Sequence, residues 1–344
     1  QGICIGGLVL FFCLVSSLAF AAPLTKPNVG MIFYSPSTTP GVARTLGCTY
    51  SDSGGWTSLK EAYFLISTSP TSLTNSVYLY YNQNTNLLYL RNDANTAWLG
   101  GYTPGSSNTI ENSYVKLNCA STTINGSGNT LTVNWNITFK PAYSGKGYNT
   151  YLKAVNDAGS STDWTRQGTY TVNYPPTVGS ITPSSGTGQV EVPQLFTATY
   201  SDQDGWQNIQ EAYFLMGTYA PTTNLPVHFM VINTTPTTTN SLYAYYNQNT
   251  NLLYLRNDAN SAWLGGYTPG SSNTIENSYA KLNCASTSIN GSGTTLSVNW
   301  SVVIKRAFTG SKNTYLYVKD DVNATQNWTK KGTWIAGQPN QSPR

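Results

Sequence analysis

The sequence predicts an all-β protein: two tandem β-sandwich domains, each carrying an extra β-hairpin, behind an N-terminal signal peptide. Three observations predict it. A long segment occurs twice: from Tyr80 to Tyr114 the two copies differ only at Thr96, which is Ser261 in the second. Apolar and polar residues alternate over whole segments, and no stretch beyond the first twenty residues sustains a helical period. The composition favours half-buried pleated surfaces, with 25 Tyr and 9 Trp, while charged residues reach only 9% against about 25% in ordinary soluble proteins.

The apolar run from Ile3 to Phe20 comes first. It closes on Ala19-Phe20-Ala21, the small-x-small form of a signal-peptidase site. Residues 1–21 therefore read as a signal peptide, and with Gln1 leading and no basic segment ahead, a shortened one. A retained membrane anchor is the competing reading, although the run is barely long enough to span a bilayer. No later segment is apolar enough to cross. A secreted or cell-surface protein is the expectation. The net charge of +4 is spread without a basic run, which gives nucleic acid nothing to grip.

Repeat 1 is assigned to 25–174 and repeat 2 to 175–336, divided at Tyr174-Pro175-Pro176. CTYSDSGGWTSLKEAYFL from Cys48 parallels ATYSDQDGWQNIQEAYFL from Ala198, and KLNCASTTINGSGNTLTVNW from Lys116 parallels KLNCASTSINGSGTTLSVNW from Lys281. The second copy carries an insertion at about 222–239, which holds the single histidine, His228. Residues 337–344 read as the start of another linker, toward a further C-terminal region.

Within each repeat the strands announce themselves. Leu131, Val133, Trp135, Ile137 and Phe139 alternate with polar neighbours, so five apolar side chains share one face of a sheet. Leu296, Val298, Trp300, Val302 and Ile304 repeat the pattern. Just upstream, Asn125-Gly126-Ser127-Gly128 reads as a tight turn, because Asn and Gly tolerate positive φ. Val77 to Tyr81 and Leu87 to Arg91 form a hairpin about a polar turn at 82–86. Its inner face joins a core and leaves tyrosines outside.

Together, the PPTVGSITPSSGTG opening, FTATYSDQDG from Phe196 and the closing YLYVKDD…W…KGTW resemble the immunoglobulin-like repeats, close to fibronectin type III, of large secreted and surface proteins of bacteria. The resemblance covers residues 25–336 in two copies. It implies two tandem immunoglobulin-like sandwiches acting as spacers and contact elements toward extracellular proteins or glycans, with neighbouring repeats of the same chain as further partners. Each repeat exceeds the ~100 residues of such a domain. The excess lies in the tyrosine hairpin and the WLGGYTPGSSNTIENSY stretch.

Four features bear on function. Asp202 and Asp204, in Asp-Gln-Asp-Gly, have a spacing that offers oxygen ligands to calcium, although calcium takes six to eight oxygens and an Asx turn explains the same residues. Calcium is the one cofactor this spacing suggests. Trp98, Tyr102, Trp263 and Tyr267 lie in AWLGGYTPG segments read as loops, where an aromatic pair stacks on sugar rings; the rival reading folds each Trp over the core as a lid. Cys48 and Cys119 offer a disulfide, but Ala198 replaces Cys48 in the second copy and leaves Cys284 alone, so buried thiols are the default. No GxSxG elbow or HExxH motif occurs, and Glu61, Asp93 and Glu111 read as surface polars, so a non-enzymatic chain is expected.

Overall fold

A computed structural model describes residues 25–218 and 239–337. The signal-peptide assignment, His228 with nearly all of the insertion, and the C-terminal linker lie outside the described residues. The first repeat opens with β1 (Asn28–Phe33), β2 (Ser37–Thr38), β3 (Ala43–Ser51) and β4 (Leu59–Ser67). The hairpin follows as β5 (Val77–Asn82) and β6 (Leu87–Arg91), then β7 (Trp98–Tyr102), β8 (Thr109–Glu111) and β9 (Val115–Asn118). It closes with β10 (Thr123–Ser127), β11 (Thr130–Phe139), β12 (Lys146–Asn156) and β13 (Thr165–Val172).

The second repeat retraces this path. It begins with β14 (Thr177–Thr182), β15 (Gly186–Gln189), β16 (Pro193–Ser201) and β17 (Ile209–Gly217). Next come β18 (Leu242–Asn247), β19 (Leu252–Arg256), β20 (Trp263–Tyr267), β21 (Thr274–Glu276) and β22 (Ala280–Asn283). The last strands are β23 (Ser288–Ser292), β24 (Thr295–Ile304), β25 (Gly310–Asp320) and β26 (Thr325–Gly337).

Each repeat is two sheets face to face. In the first, one sheet runs β1-β3-β11-β9-β8 with β10 also on β11, and the other runs β2-β13-β12-β4-β5-β6-β7. The second repeat gives the same two orders strand for strand. β1-β3-β11-β9 and β13-β12-β4 stand where an immunoglobulin sandwich has A-B-E-D and G-F-C. The tyrosine hairpin occupies the C′–C″ positions with β7 beyond it, and β8 extends the other sheet past β9, so the extra length widens both sheets instead of adding a layer.

The alternation in β11 does what its period requires. Leu131, Val133, Trp135, Ile137 and Phe139 are all fully buried, and so are their five counterparts in β24. Two separate cores result, one per repeat, with no residue in common. The expected turn shifts slightly: Asn125, Gly126 and Ser127 belong to β10, and Ser127 pairs with Thr130 across Gly128-Asn129. Gly128 supplies the positive φ of 55°.

The Cys48–Cys119 disulfide that the sequence left possible does not form. Cys48, Cys119 and Cys284 are buried free thiols. Cys48 sits on β3 and Cys119 follows β9, and β11 runs between those strands. Two strand spacings amount to ~10 Å, beyond the ~7 Å limit for bridged Cα atoms. Burial pushes the Cys48 thiol well above its ordinary range, which leaves it unreactive.

Candidate functional site

The outer face of the seven-stranded sheet is the chemically distinctive surface. The pleat sends Phe64, Val77, Leu79, Tyr81, Leu88 and Leu90 into the core. Their alternates, Tyr63, Tyr78, Tyr80 and Tyr89, face outward and are half-buried. Direct cross-strand pairing places Tyr63 beside Tyr80, Tyr80 beside Tyr89, and Arg91 beside Trp98. The rings of Tyr80 and Tyr89 stack at 4.6 Å, and Trp98 meets Tyr80 edge-on at 4.5 Å and Tyr78 at 5.0 Å. The Arg91 guanidinium lies 4.3 Å over the Trp98 ring, and Trp164 closes the group against Tyr78 at 5.3 Å. Such contacts are worth about 0.5–1.5 kcal/mol each beyond burial.

Beneath these rings lies an apolar floor. Leu65 and Tyr151 are buried yet absent from the main core, and they pair across β4 and β12 on the outer side. The aromatic layer therefore covers a second, thin hydrophobic layer. The second repeat rebuilds it with Tyr213, Tyr243, Tyr245, Tyr254, Trp263 and Trp328, with Arg256 at 4.2 Å over Trp263. It also adds Tyr317, 5.2 Å from Tyr213, where the first repeat has Lys153.

Burial raises the Tyr63, Tyr78 and Tyr80 phenols above their ordinary range. Burial, helped by Tyr89 and Glu61, pushes Tyr80 up to about 12. Burial also raises Tyr63, whose hydroxyl donates to Glu61 Oε2 at 2.6 Å. The face thus offers half-exposed rings, hydroxyl donors and one guanidinium per repeat.

The structure regroups the aromatic candidates. Trp98 and Trp263 lie in strands β7 and β20 rather than in loops, and on the outer face rather than as lids over the core. Tyr102 and Tyr267 end those strands 40% exposed, and Tyr102 is registered opposite Leu88 across a bulge. Trp98 and Tyr102 make no ring contact with each other among the described contacts, so the expected loop pair does not form. Trp164 and Trp328 carried no signal in the sequence: Trp164 joins the face from just ahead of β13, and Trp328 from within β26. The Tyr-x-Tyr alternation in β5 was the legible signal.

The second feature is acidic and sits where the repeats meet. Asp202 is 1% exposed and accepts the Asp204 N–H at Oδ1, 2.8 Å, in an Asx turn. Asp204 Oδ2 accepts the Tyr174 N–H at 2.9 Å, which ties the inter-repeat connector to the second sandwich. Asp320, fully buried at the end of β25, accepts the Val322 and Ala324 N–H groups at Oδ1 and Asn173 Nδ2 at Oδ2, 2.8 Å. Burial is the main cause that pushes Asp202 up to about 7; the Asp204 N–H opposes it, and the charges of Asp204, Asp320 and Asp321 add to it. Burial likewise raises Asp320. Among the described residues no three His, Cys, Asp or Glu side chains converge as a metal set.

No family profile matches the chain, and no curated protein matches it either. Among solved structures, the crystal structure of Rst D1-D2 is similar at 8% identity and a TM-score of 0.38, covering 91% of this chain and 100% of that one. Fibronectin(III)-like modules of Clostridium thermocellum CbhA are similar at 12% identity and a TM-score of 0.25, covering 92% and 97%. Strand order carries the assignment that these distant likenesses accompany. By that order, the chain is a tandem pair of immunoglobulin- and fibronectin type III-like β-sandwich repeats.

Proposed function

We propose that this chain is a non-enzymatic structural repeat module of the cell exterior, a spacer whose outer sheet faces make the contacts. One observation carries the reading: each repeat owns a complete core, and the connector between Val172 and Thr177 holds only Asn173, Tyr174, Pro175 and Pro176. A short proline-bearing connector restricts the angle between domains and keeps repeats apart along one line. The apolar N-terminal run and the low charge support an exterior location. Small-angle scattering of the mature chain tests the spacer role. An elongated two-bead particle is expected, and one compact globule would overturn it.

A second reading is favoured by the aromatic faces: binding of polysaccharide. Half-exposed indole and phenol rings, ringed by hydroxyl donors, suit sugar stacking, and the duplicate face would add avidity. Pull-down on insoluble polysaccharides tests it. Binding that disappears in Trp98→Ala plus Trp263→Ala, with melting largely retained, supports this reading, and no retention by the unaltered chain removes it.

A further inference from the structure

The two repeats differ where the fold requires a buried pair. In the first, Asp52 Oδ1 accepts the Gly54 N–H at 2.8 Å, and its Oδ2 accepts Asn156 Nδ2 at 3.0 Å. In the second, Asp202 repeats the turn, but the position of Asn156 is Asp320. The backbone around that position is unchanged: Asn156 Oδ1 accepts the Ser160 N–H at 2.9 Å, and Asp320 Oδ1 accepts the Ala324 N–H at 2.7 Å. Only the hydrogen is missing. Asp202 Oδ2 is consequently buried without a donor.

A second buried oxygen at the same joint lacks a donor as well. Asn173, 7% exposed, gives its Nδ2 to Asp320 Oδ2 and leaves Oδ1 unpaired. The orphans are both oxygens. The charges acting on Asp202 are those of Asp204, Asp320 and Asp321, all acidic. An unpaired buried carboxylate costs several kcal/mol in roughly any protein interior, unless a positive charge joins it.

We propose that Asp202, Asp320 and the connector residue Asn173 form a calcium site that fastens the second repeat to the connector. The protein ligands are Asp202 Oδ2, the Asp320 carboxylate and Asn173 Oδ1, an oxygen-only set suited to a hard divalent cation. Asp204, which sequence spacing offered as a ligand, instead holds the Tyr174 N–H and contributes charge. Of the three ligands, Asn173 lines a groove of about 420 Å³ between the repeats, together with Pro175 and the turn at Val322, Asn323 and Ala324 that follows Asp320. Arg44, tied to Thr38 Oγ1 at 2.9 Å, is the basic side chain on that groove. The first repeat, with its Asp52–Asn156 pair, has no such need.

The test uses the full chain, stripped with a chelator and titrated with calcium chloride by calorimetry and thermal melting. One ion per chain is expected, with a dissociation constant on the order of 10⁻⁴–10⁻³ M, as in extracellular modules. Saturating calcium should raise the melting point of the second repeat by roughly 4–8 °C and leave the first unmoved. Asp320→Asn restores the pairing already present in the first repeat and is therefore expected to fold. It should weaken calcium binding by about 100-fold and abolish the melting shift. Calcium binding that survives in both Asp320→Asn and Asp202→Asn would place the ion elsewhere and overturn the proposal. No calcium response at all would also overturn it.

Discussion

At the scale of single residues, one side chain decides how a buried carboxylate is satisfied. Asn156 donates Nδ2 both to Asp52 Oδ2 at 3.0 Å and to the Thr25 carbonyl at 3.1 Å. Asn156→Ala should therefore destabilise the first repeat by about 1–3 kcal/mol, the penalty of leaving a buried acceptor unpaired. Thermal melting reads this directly, and an unchanged first transition would show that water replaces the amide. None of this was legible in sequence. Asp52 and Asn156 are 104 positions apart, and a substitution of Asn by Asp in a copied segment looks conservative until the fold places it against another Asp. The spacing of Asp202 and Asp204 could not show that Asp320 lies nearby, since proximity along the chain is not proximity across the sandwich.

At the scale of elements, periodicity told what glycine concealed. β5, β6 and β11 alternate cleanly and were readable residue by residue. β7 was not, because Gly100 and Gly101, at φ 103° and 86°, break its period with a bulge. Ahead of the bulge, Trp98 keeps regular register opposite Arg91 and so faces outward. A Cβ at Gly100 would lie 2.3 Å from Ile110 Cδ1 and 2.9 Å from the Leu88 carbonyl, whereas at Gly105, φ 83°, nothing lies within 4 Å. Gly100→Ala should thus cost about 2 kcal/mol or more, combining backbone strain with overpacking, against about 1 kcal/mol for Gly105→Ala. Denaturant midpoints of the two variants check the difference, and equal losses would mean that β7 is free to pull away from β8. Loss of Trp98 fluorescence shielding in Gly100→Ala alone would trace the shift to the outer aromatic layer.

At the scale of the whole molecule, the two cores predict two transitions. Trp135→Ala should lower only the first by about 3–5 kcal/mol, and Trp300→Ala only the second, as large cavities do in close-packed cores. Calorimetry of both variants tests the independence, and a joint shift in either would show strong coupling across the connector. The duplication itself has a further consequence during folding. Strands β5 to β8 and β18 to β21, which extend both sheets of each repeat, share all but one letter from Tyr80 to Tyr114. A newly collapsed hairpin from one copy therefore finds, on the central strand of the other, a docking edge almost indistinguishable from its own. Neighbouring repeats of such similarity are prone to exchange segments and become trapped. Rapid refolding should accordingly show a slow phase that vanishes when either repeat refolds alone, the kinetic signature of strands that first settled on their twin.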